Sequence, residues 1–97
     1  MDSDQEIQVA AHTMVRALER GIELDEIMDV IRTGQCIPAK GGRYGKVKVL
    51  SFHSERKGKF YEQKKVEVYY TVENNIIITI TAYAFYGKWV ADDADSI

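Results

Sequence analysis

Along the first third of the chain the hydrophobic positions recur on a helical period; from residue 35 onward they alternate. Ile7, Ala11, Met14 and Leu18 stand three or four apart. That spacing predicts a helix over Asp4–Arg20 with those four side chains as its buried stripe. Asp2, Ser3 and Asp4 offer N-caps and suit the positive end of the helix dipole. Gly21 follows as a left-handed C-cap, with Ile22 placed to fold back on the last turn. A second helix is predicted over Leu24–Thr33. Leu24, Ile27, Met28 and Ile31 form its apolar side, and Asp25, Glu26 and Asp29 its wet side. Gly34 is expected to close it in the same left-handed way. So short a link makes an αα-hairpin or a bent pair.

The alternating part reads as strands. Pro38 marks a short edge strand or its approach, because proline cannot donate to a ladder. Gly41-Gly42 is a turn. Tyr44–His53 is a strand with Val47 and Val49 opposite Lys46 and Lys48, followed by a charged loop over Ser54–Gly58. Lys64–Val72 sets Val66, Val68 and Tyr70 against Glu67, Tyr69 and Thr71. Glu73-Asn74-Asn75 is a hairpin turn, since asparagine tolerates positive φ. Asn75–Phe85 is the most β-prone run. Strict alternation puts Ile76, Ile78 and Ile80 on one face and Ile77, Thr79, Thr81 and Tyr83 on the other. With apolar residues on both faces, this strand is expected to be central. Tyr86–Trp89 is expected to leave the sheet, and residues 91–97 to form a frayed acidic tail. The element order predicts an α+β fold: two N-terminal helices packed on one antiparallel β-sheet of about four strands. One domain is expected, with its folded core over about residues 5–90.

Composition changes this picture little. No apolar run approaches the roughly 20 residues that span a bilayer, and the acidic opening Met1–Glu6 lacks a signal-peptide pattern. With Cys36 as the single cysteine, a cytoplasmic protein away from membranes is expected. Charge is more informative. The net value is -2, but residues 36–65 carry nine basic and two acidic side chains between two acidic flanks. A basic middle is compatible with a local polyanion site, or with solvated lysine-rich strands.

Candidate chemistry is sparse. His12, His53 and Cys36 lack metal-ligand spacing, so neither a metal nor a cofactor is expected. Cys36 has no nucleophile signature, and a buried structural thiol is its expected role. "KGGRYGK" at Lys40–Lys46 does not match a phosphate loop; it is a turn whose amides and Arg43 offer contacts to phosphate. On the first helix His12, Arg16 and Glu19 form a ridge away from the apolar stripe. Either Arg16 pairs with Glu19 or Glu23 on a solvated face, or His12 and Arg16 set an imidazole beside a guanidinium for proton transfer and phosphate binding. In "TAYAFYGKW", Thr81, Tyr83 and Phe85 share a face opposite Ala82 and Ala84. Phe85 and Trp89 suit a core or a sheet cover, whereas Thr81, Tyr83 and Lys88 have polar ends that need partners.

"HTMVRALERGIELDEIMDVIRTGQ" resembles the opening of a bacterial domain-of-unknown-function family with the pattern His-Ala-x-x-Arg-x-x-x-Arg-Gly-Ile. His12, Arg16, Arg20, Gly21 and Ile22 match it, Gly34 matches the glycine that ends the family's second helix, and Thr13 departs from the alanine. "IITITAY" at Ile77–Tyr83 is similar to that family's closing strand. The family is similar to the RelE/ParE toxin group. The resemblance implies helices against an antiparallel sheet, and a metal-independent endoribonuclease toxin of a toxin–antitoxin pair, with RNA and an antitoxin protein as partners. Such cleavage needs a base, an acid and cations at the phosphate. His12 is the candidate acid or base, Arg16 the clamp, and Arg20 a second clamp or a structural brace. Thr81 and Tyr83 would complete the site, with Arg43, Lys46, Lys65 and Lys88 holding substrate and His53 in reserve. The alternative is a non-catalytic domain that binds an antitoxin or another protein. The two readings differ in whether the basic middle gathers beside His12 and Arg16.

Overall fold

The computed structural model describes residues 5–89. Its elements are β1 (Ile7–Gln8), α1 (Ala11–Glu19), α2 (Leu24–Thr33), β2 (Gln35–Ile37), β3 (Tyr44–Arg56), β4 (Lys59–Glu73) and β5 (Ile76–Gly87). The strands form one sheet in the order β1-β5-β4-β3-β2. It has five strands rather than about four, and it is mixed: β1 runs parallel to β5, and every other neighbour is antiparallel. Both helices pack on it in an α+β arrangement. No helix among the described residues is long and apolar enough to cross a membrane. The N-cap candidates Asp2, Ser3 and Asp4 and the acidic tail at 91–97 lie outside the described residues.

Two tight hairpins set the antiparallel register. Asn74 and Asn75 have φ 52° and 65° between the paired Glu73 and Ile76, the turn their amides predict. Lys57 and Gly58, at φ 54° and 83°, make the same kind of turn between Arg56 and Lys59. The charged stretch Ser54–Gly58 is therefore strand and turn instead of loop, and β4 starts at Lys59 instead of Lys64. The predicted alternation in β4 holds. Lys64, Val66, Val68 and Tyr70 are buried, and their odd-numbered neighbours face away. Ile22, Ile27, Val30 and Ile31 close the core over Val66, Val68, Ile77 and Ala82. Val66 and Val68 are fully buried, each worth roughly 1.5–3 kcal/mol.

On β3 the register puts Lys46 and Lys48 beside Val68 and Val66, on the helix side. Val47 and Val49 therefore face away from the helices. Lys48 is usable there because its Nζ reaches both Asp29 Oδ2 and Thr33 Oγ1 of α2 at 2.8 Å. The Lys48 hydrogen bond holds the Asp29 carboxyl below its ordinary pKa, against the opposing effect of burial. A carboxyl with a lowered folded pKa adds stability above about pH 4 that is lost as pH falls through the lowered value. The pair is partly exposed, so its contribution is below about 1 kcal/mol. Asp29→Asn should flatten the acid limb of a stability–pH curve slightly. An unchanged limb would remove the pair from the account.

The start of α1 departs from the helical pattern. Ile77 N–H donates to Glu6 O at 2.9 Å, and Gln5 Nε2 donates to Asn75 O. Pairing with β5 thus takes residues 5–8 out of the helix, which begins at Ala11. Its fully buried residues are Thr13 and Ala17. Of the stripe Ile7, Ala11, Met14 and Leu18, Ile7 and Met14 pack partly buried against the core, whereas Ala11 is exposed and Leu18 is 62% exposed. A threonine is buried because α1 docks on a polar irregularity. In the β4–β5 ladder Tyr69 opposes Thr81 and Tyr70 opposes Thr79, so Ile80 is the extra residue of a bulge. The bulge moves Thr81, Tyr83 and Phe85 to the face opposite Ile77 and Thr79. Strict alternation had grouped Thr79 with Thr81 and Tyr83.

Among the described residues the edge of β5 beyond β1 has no strand partner, and α1 satisfies it instead. Thr13 Oγ1 donates to Ile80 O at 3.2 Å, and His12 Nε2 lies 3.0 Å from the same oxygen. Arg20 Nη1 donates to Ala82 O at 2.9 Å. Behind them runs a directional relay: Ala10 N–H to Thr79 Oγ1, Thr79 O–H to Thr13 Oγ1, Thr13 O–H to Ile80 O. Thr79→Val keeps the shape and strands the Ala10 N–H. An unfolding free energy lower by about 2 kcal/mol in urea titration is expected. A change near zero would mean that water replaces the hydroxyl.

At its other end α1 stops as predicted. Gly21 has φ 81°. Ile22 N–H donates to Ala17 O and Gly21 N–H to Leu18 O, with Ile22 fully buried beyond them. Gly34 does not repeat this: its φ is -75°. Three strands then cap the same helix end. Arg56 Nη2 donates to Glu19 O, Tyr86 Oη to Arg20 O, and Lys64 Nζ to Gly21 O. Tyr86 belongs to β5, which runs on to Gly87, so only Lys88 and Trp89 of Tyr86–Trp89 leave the sheet.

Candidate functional site

The face of the sheet away from the helices carries a cleft of about 340 Å³. One wall is the β2–β3 connection, Pro38, Ala39, Lys40 and Arg43. The other is Tyr69 of β4 with Ile80, Thr81 and Tyr83 of β5. Gly41 and Gly42, both at positive φ, turn the connection so that Lys40 and Arg43 flank the opening. Gly45 lets the floor close: a Cβ there would stand 2.9 Å from both Ile37 and the Tyr69 ring.

Tyr83 is the centre of the cleft's polar groups. The Arg20 guanidinium carbon lies 4.9 Å from its ring centroid, and the Tyr69 ring meets it edge-on at 6.1 Å. Arg20 is held there by its bond to Ala82 O, so its planar fork is already ordered. Tyr69 Oη donates to Glu67 Oε1 at 3.0 Å. Burial first, then the Glu67 carboxylate, pushes the Tyr69 pKa up. Tyr69 is therefore a neutral phenol and a poor base at neutral pH.

Arg43, Thr81 and Tyr83 thus line one cleft, and Arg20 stacks on it. His12 is one hydrogen bond behind, on the carbonyl of the lining residue Ile80. Arg16 is exposed and lies between His12 and Arg20 on the i, i+4 ridge. Among the described residues it makes no ion pair, so the pairing with Glu19 or Glu23 is not formed. The remaining basic candidates divide. Lys65 shares the cleft's face, farther along, with its Nζ 5.0 Å from the Trp89 ring and 5.8 Å from Phe85. Lys46 is on the helix side, lining a small cavity with Ile31 and Tyr70. Lys48 and Lys64 are on that side too, bound to Asp29 and Glu26. Lys88 is exposed beyond β5. The basic middle does not gather beside His12 and Arg16.

No protein-family model, curated protein or solved structure matches the chain. The cleft's chemistry stands on its own residues. His53 sits at positive φ in the β3 bulge, 3.9 Å from Glu62 and against Phe60, far along β3 from the cleft. Cys36 is exposed, where a buried thiol was expected. Tyr69 and Lys40 belong to the cleft without having been singled out by the sequence. Lys40 had a signal, its place beside Arg43 on the glycine turn. Tyr69 had none, because its neighbour across the sheet depends on the bulge.

Proposed function

We propose that this protein binds single-stranded RNA on the helix-free face of its sheet. The carrying observation is the convergence of Arg43, Lys40 and Arg20 with Tyr69, Thr81 and Tyr83 on one cleft. Guanidinium forks suit phosphate oxygens, and rings with hydroxyls suit splayed bases and the 2′-hydroxyl. Glu67 stands across the ladder from Tyr83 and accepts the Tyr69 hydroxyl; it keeps its negative charge, and Lys40, Arg43 and Arg20 have to outweigh it for a polyanion to bind. The resemblance of the His12–Gln35 segment to the toxin-related family points to the same class of ligand.

Metal-independent cleavage is the catalytic form of this reading. It asks His12 to transfer a proton while Nε2 stays on Ile80 O, leaving Nδ1 as the free nitrogen. The division of the basic residues between two faces favours binding without cleavage. Labelled RNA incubated with a chelator and resolved on a gel separates the two forms: fragments absent from a His12→Ala sample mean cleavage.

Binding itself is read by fluorescence anisotropy of a labelled oligonucleotide. Arg43→Ala should weaken binding about tenfold and reduce the salt slope by about one. Equal affinity of wild type and Arg43→Ala at every salt concentration would overturn the assignment of the cleft.

A further inference from the structure

Thr81, Tyr83 and Phe85 are alternate residues of β5, so they form a row at a spacing of about 6.7 Å. Gly87 is the next position in that row and has no side chain. A Cβ there would meet the Trp89 ring, with the nearest ring carbon at 3.4 Å. Trp89 therefore folds back over Gly87 and fills its place in the row. Its backbone N–H donates to Gln63 Oε1 at 2.6 Å, which fixes the fold-back. The result is three aromatic rings in line on the face that holds the cleft. Tyr83 is 39% and Phe85 45% exposed.

Each ring has a cation. Arg20 lies over Tyr83, and Lys65 stands between Phe85 and Trp89. A row of core side chains would have apolar neighbours; here an arginine and a lysine lie against rings that face away from the core, and the acid across from Tyr83, Glu67, is hydrogen-bonded to Tyr69. We propose that this row is a base-stacking track for a single strand that leaves the cleft and runs along β5 toward Trp89. The inference rests on the RNA reading of the cleft and adds the direction and chemistry of the bound strand. Successive unpaired bases stack on Tyr83, Phe85 and Trp89, and Lys65 exchanges its ring contacts for a backbone phosphate. A duplex, whose bases are already stacked, has no use for the track.

Trp89 is the only tryptophan of the chain, so its emission reports this site directly. The probes are a single-stranded oligouridylate of about ten nucleotides, an RNA duplex of the same length, and heparin as a polyanion without bases. The single strand should quench Trp89, while the duplex and heparin leave its emission nearly unchanged. Phe85→Ala should weaken the single strand about tenfold. Near-ultraviolet circular dichroism checks that this exposed substitution keeps the fold. If the single strand binds by anisotropy but Trp89 is silent and Phe85→Ala is neutral, the track is wrong and the cleft stands. Equal quenching by heparin or the duplex also overturns it, since charge alone then explains the signal. If no RNA binds at low salt, the track and the RNA reading fall together.

Discussion

Lys64→Met should lower the unfolding free energy by about 3 kcal/mol, a loss of more than a hundredfold in the folding constant. Lys64 is 4% exposed. Its Nζ donates to Gly21 O and to Glu26 Oε1, both at 2.8 Å, and lies 5.5 Å from the Phe52 ring centroid. Gly21 O belongs to the negative end of α1. Glu26 stands in the first turn of α2, where its Oε1 also accepts the Glu23 N–H. One ammonium on β4 therefore joins the end of one helix to the start of the next. Methionine matches the stem and removes the charge. It leaves the Gly21 carbonyl without this donor and the Glu26 carboxylate without its counter-ion in a largely dry place. Breaking one side of such a pair costs far more than the pair is worth against an apolar replacement. Lys48→Met is the control. Its pair with Asp29 is partly exposed, and a loss below about 1 kcal/mol is expected. Urea titration of both variants decides it. Equal losses would mean that burial of Lys64 is not what gives the contact its weight. Adding Glu26→Gln to Lys64→Met should recover part of the loss, because the uncompensated carboxylate is then gone.

Lys64 also shows where sequence reasoning reached and where it stopped. Alternation placed Val66, Val68 and Tyr70 on the buried face, and parity alone puts Lys64 in the same row. Nothing nearby in the chain marks it as buried, because the carbonyl and carboxylate that satisfy it come from elements 43 and 38 positions away. The same limit explains the first helix. Ile7 fits a helical stripe locally, but its partner is Ile77 of β5, and pairing there wins. What is decided within a few residues was legible: the Gly21–Ile22 helix stop, the asparagine hairpin, and the span of α2. Its apolar face was legible only in part, since Ile27 and Ile31 are buried as expected, but Leu24 is 47% exposed and Val30, outside the predicted face, is fully buried. Glu26 and Asp29 of the expected wet side meet Lys64 and Lys48 of the sheet. The bulge at Ile80 was not legible, since a pattern of alternation has no mark for an inserted residue. Thr81 and Tyr83 stood out by their polar ends and Arg43 by its place on a glycine turn, and the fold brings these three together. The ridge on α1 was half right. His12 and Arg16 avoid the core, but Thr13 and Ala17 beside them are buried, so His12 meets a backbone carbonyl of β5.

Gly34→Ala should destabilise by about 3 kcal/mol although the backbone there suits any residue. With φ -75° and ψ 172°, alanine is unstrained, and stiffening the unfolded chain would by itself favour the variant by about 0.4–1 kcal/mol. The obstacle is space. A Cβ at Gly34 would lie 2.5 Å from Val30 O and 2.7 Å from Val47 O. Both are backbone atoms, one in the last turn of α2 and the other on β3, so neither can swing aside. Relief requires α2 to lift from the sheet, which loosens the Gly34 N–H bond to Val30 O at 2.8 Å. Gly21→Ala offers the contrast. Its φ of 81° costs about 1–2 kcal/mol. Its new methyl meets the ends of the Tyr86 and Arg56 side chains, which can move if Tyr86 gives up its bond to Arg20 O. Gly34→Ala should therefore be the worse of the two, despite the milder backbone angle. It should also reach the cleft, because β2 and the Pro38–Arg43 wall follow directly from Gly34. Urea titration gives the first comparison, and RNA anisotropy at a temperature where both variants are folded gives the second. If Gly34→Ala unfolds within about 1 kcal/mol of wild type, close approach of α2 to β3 is not what holds this corner, and the cleft wall is anchored by β2 pairing alone.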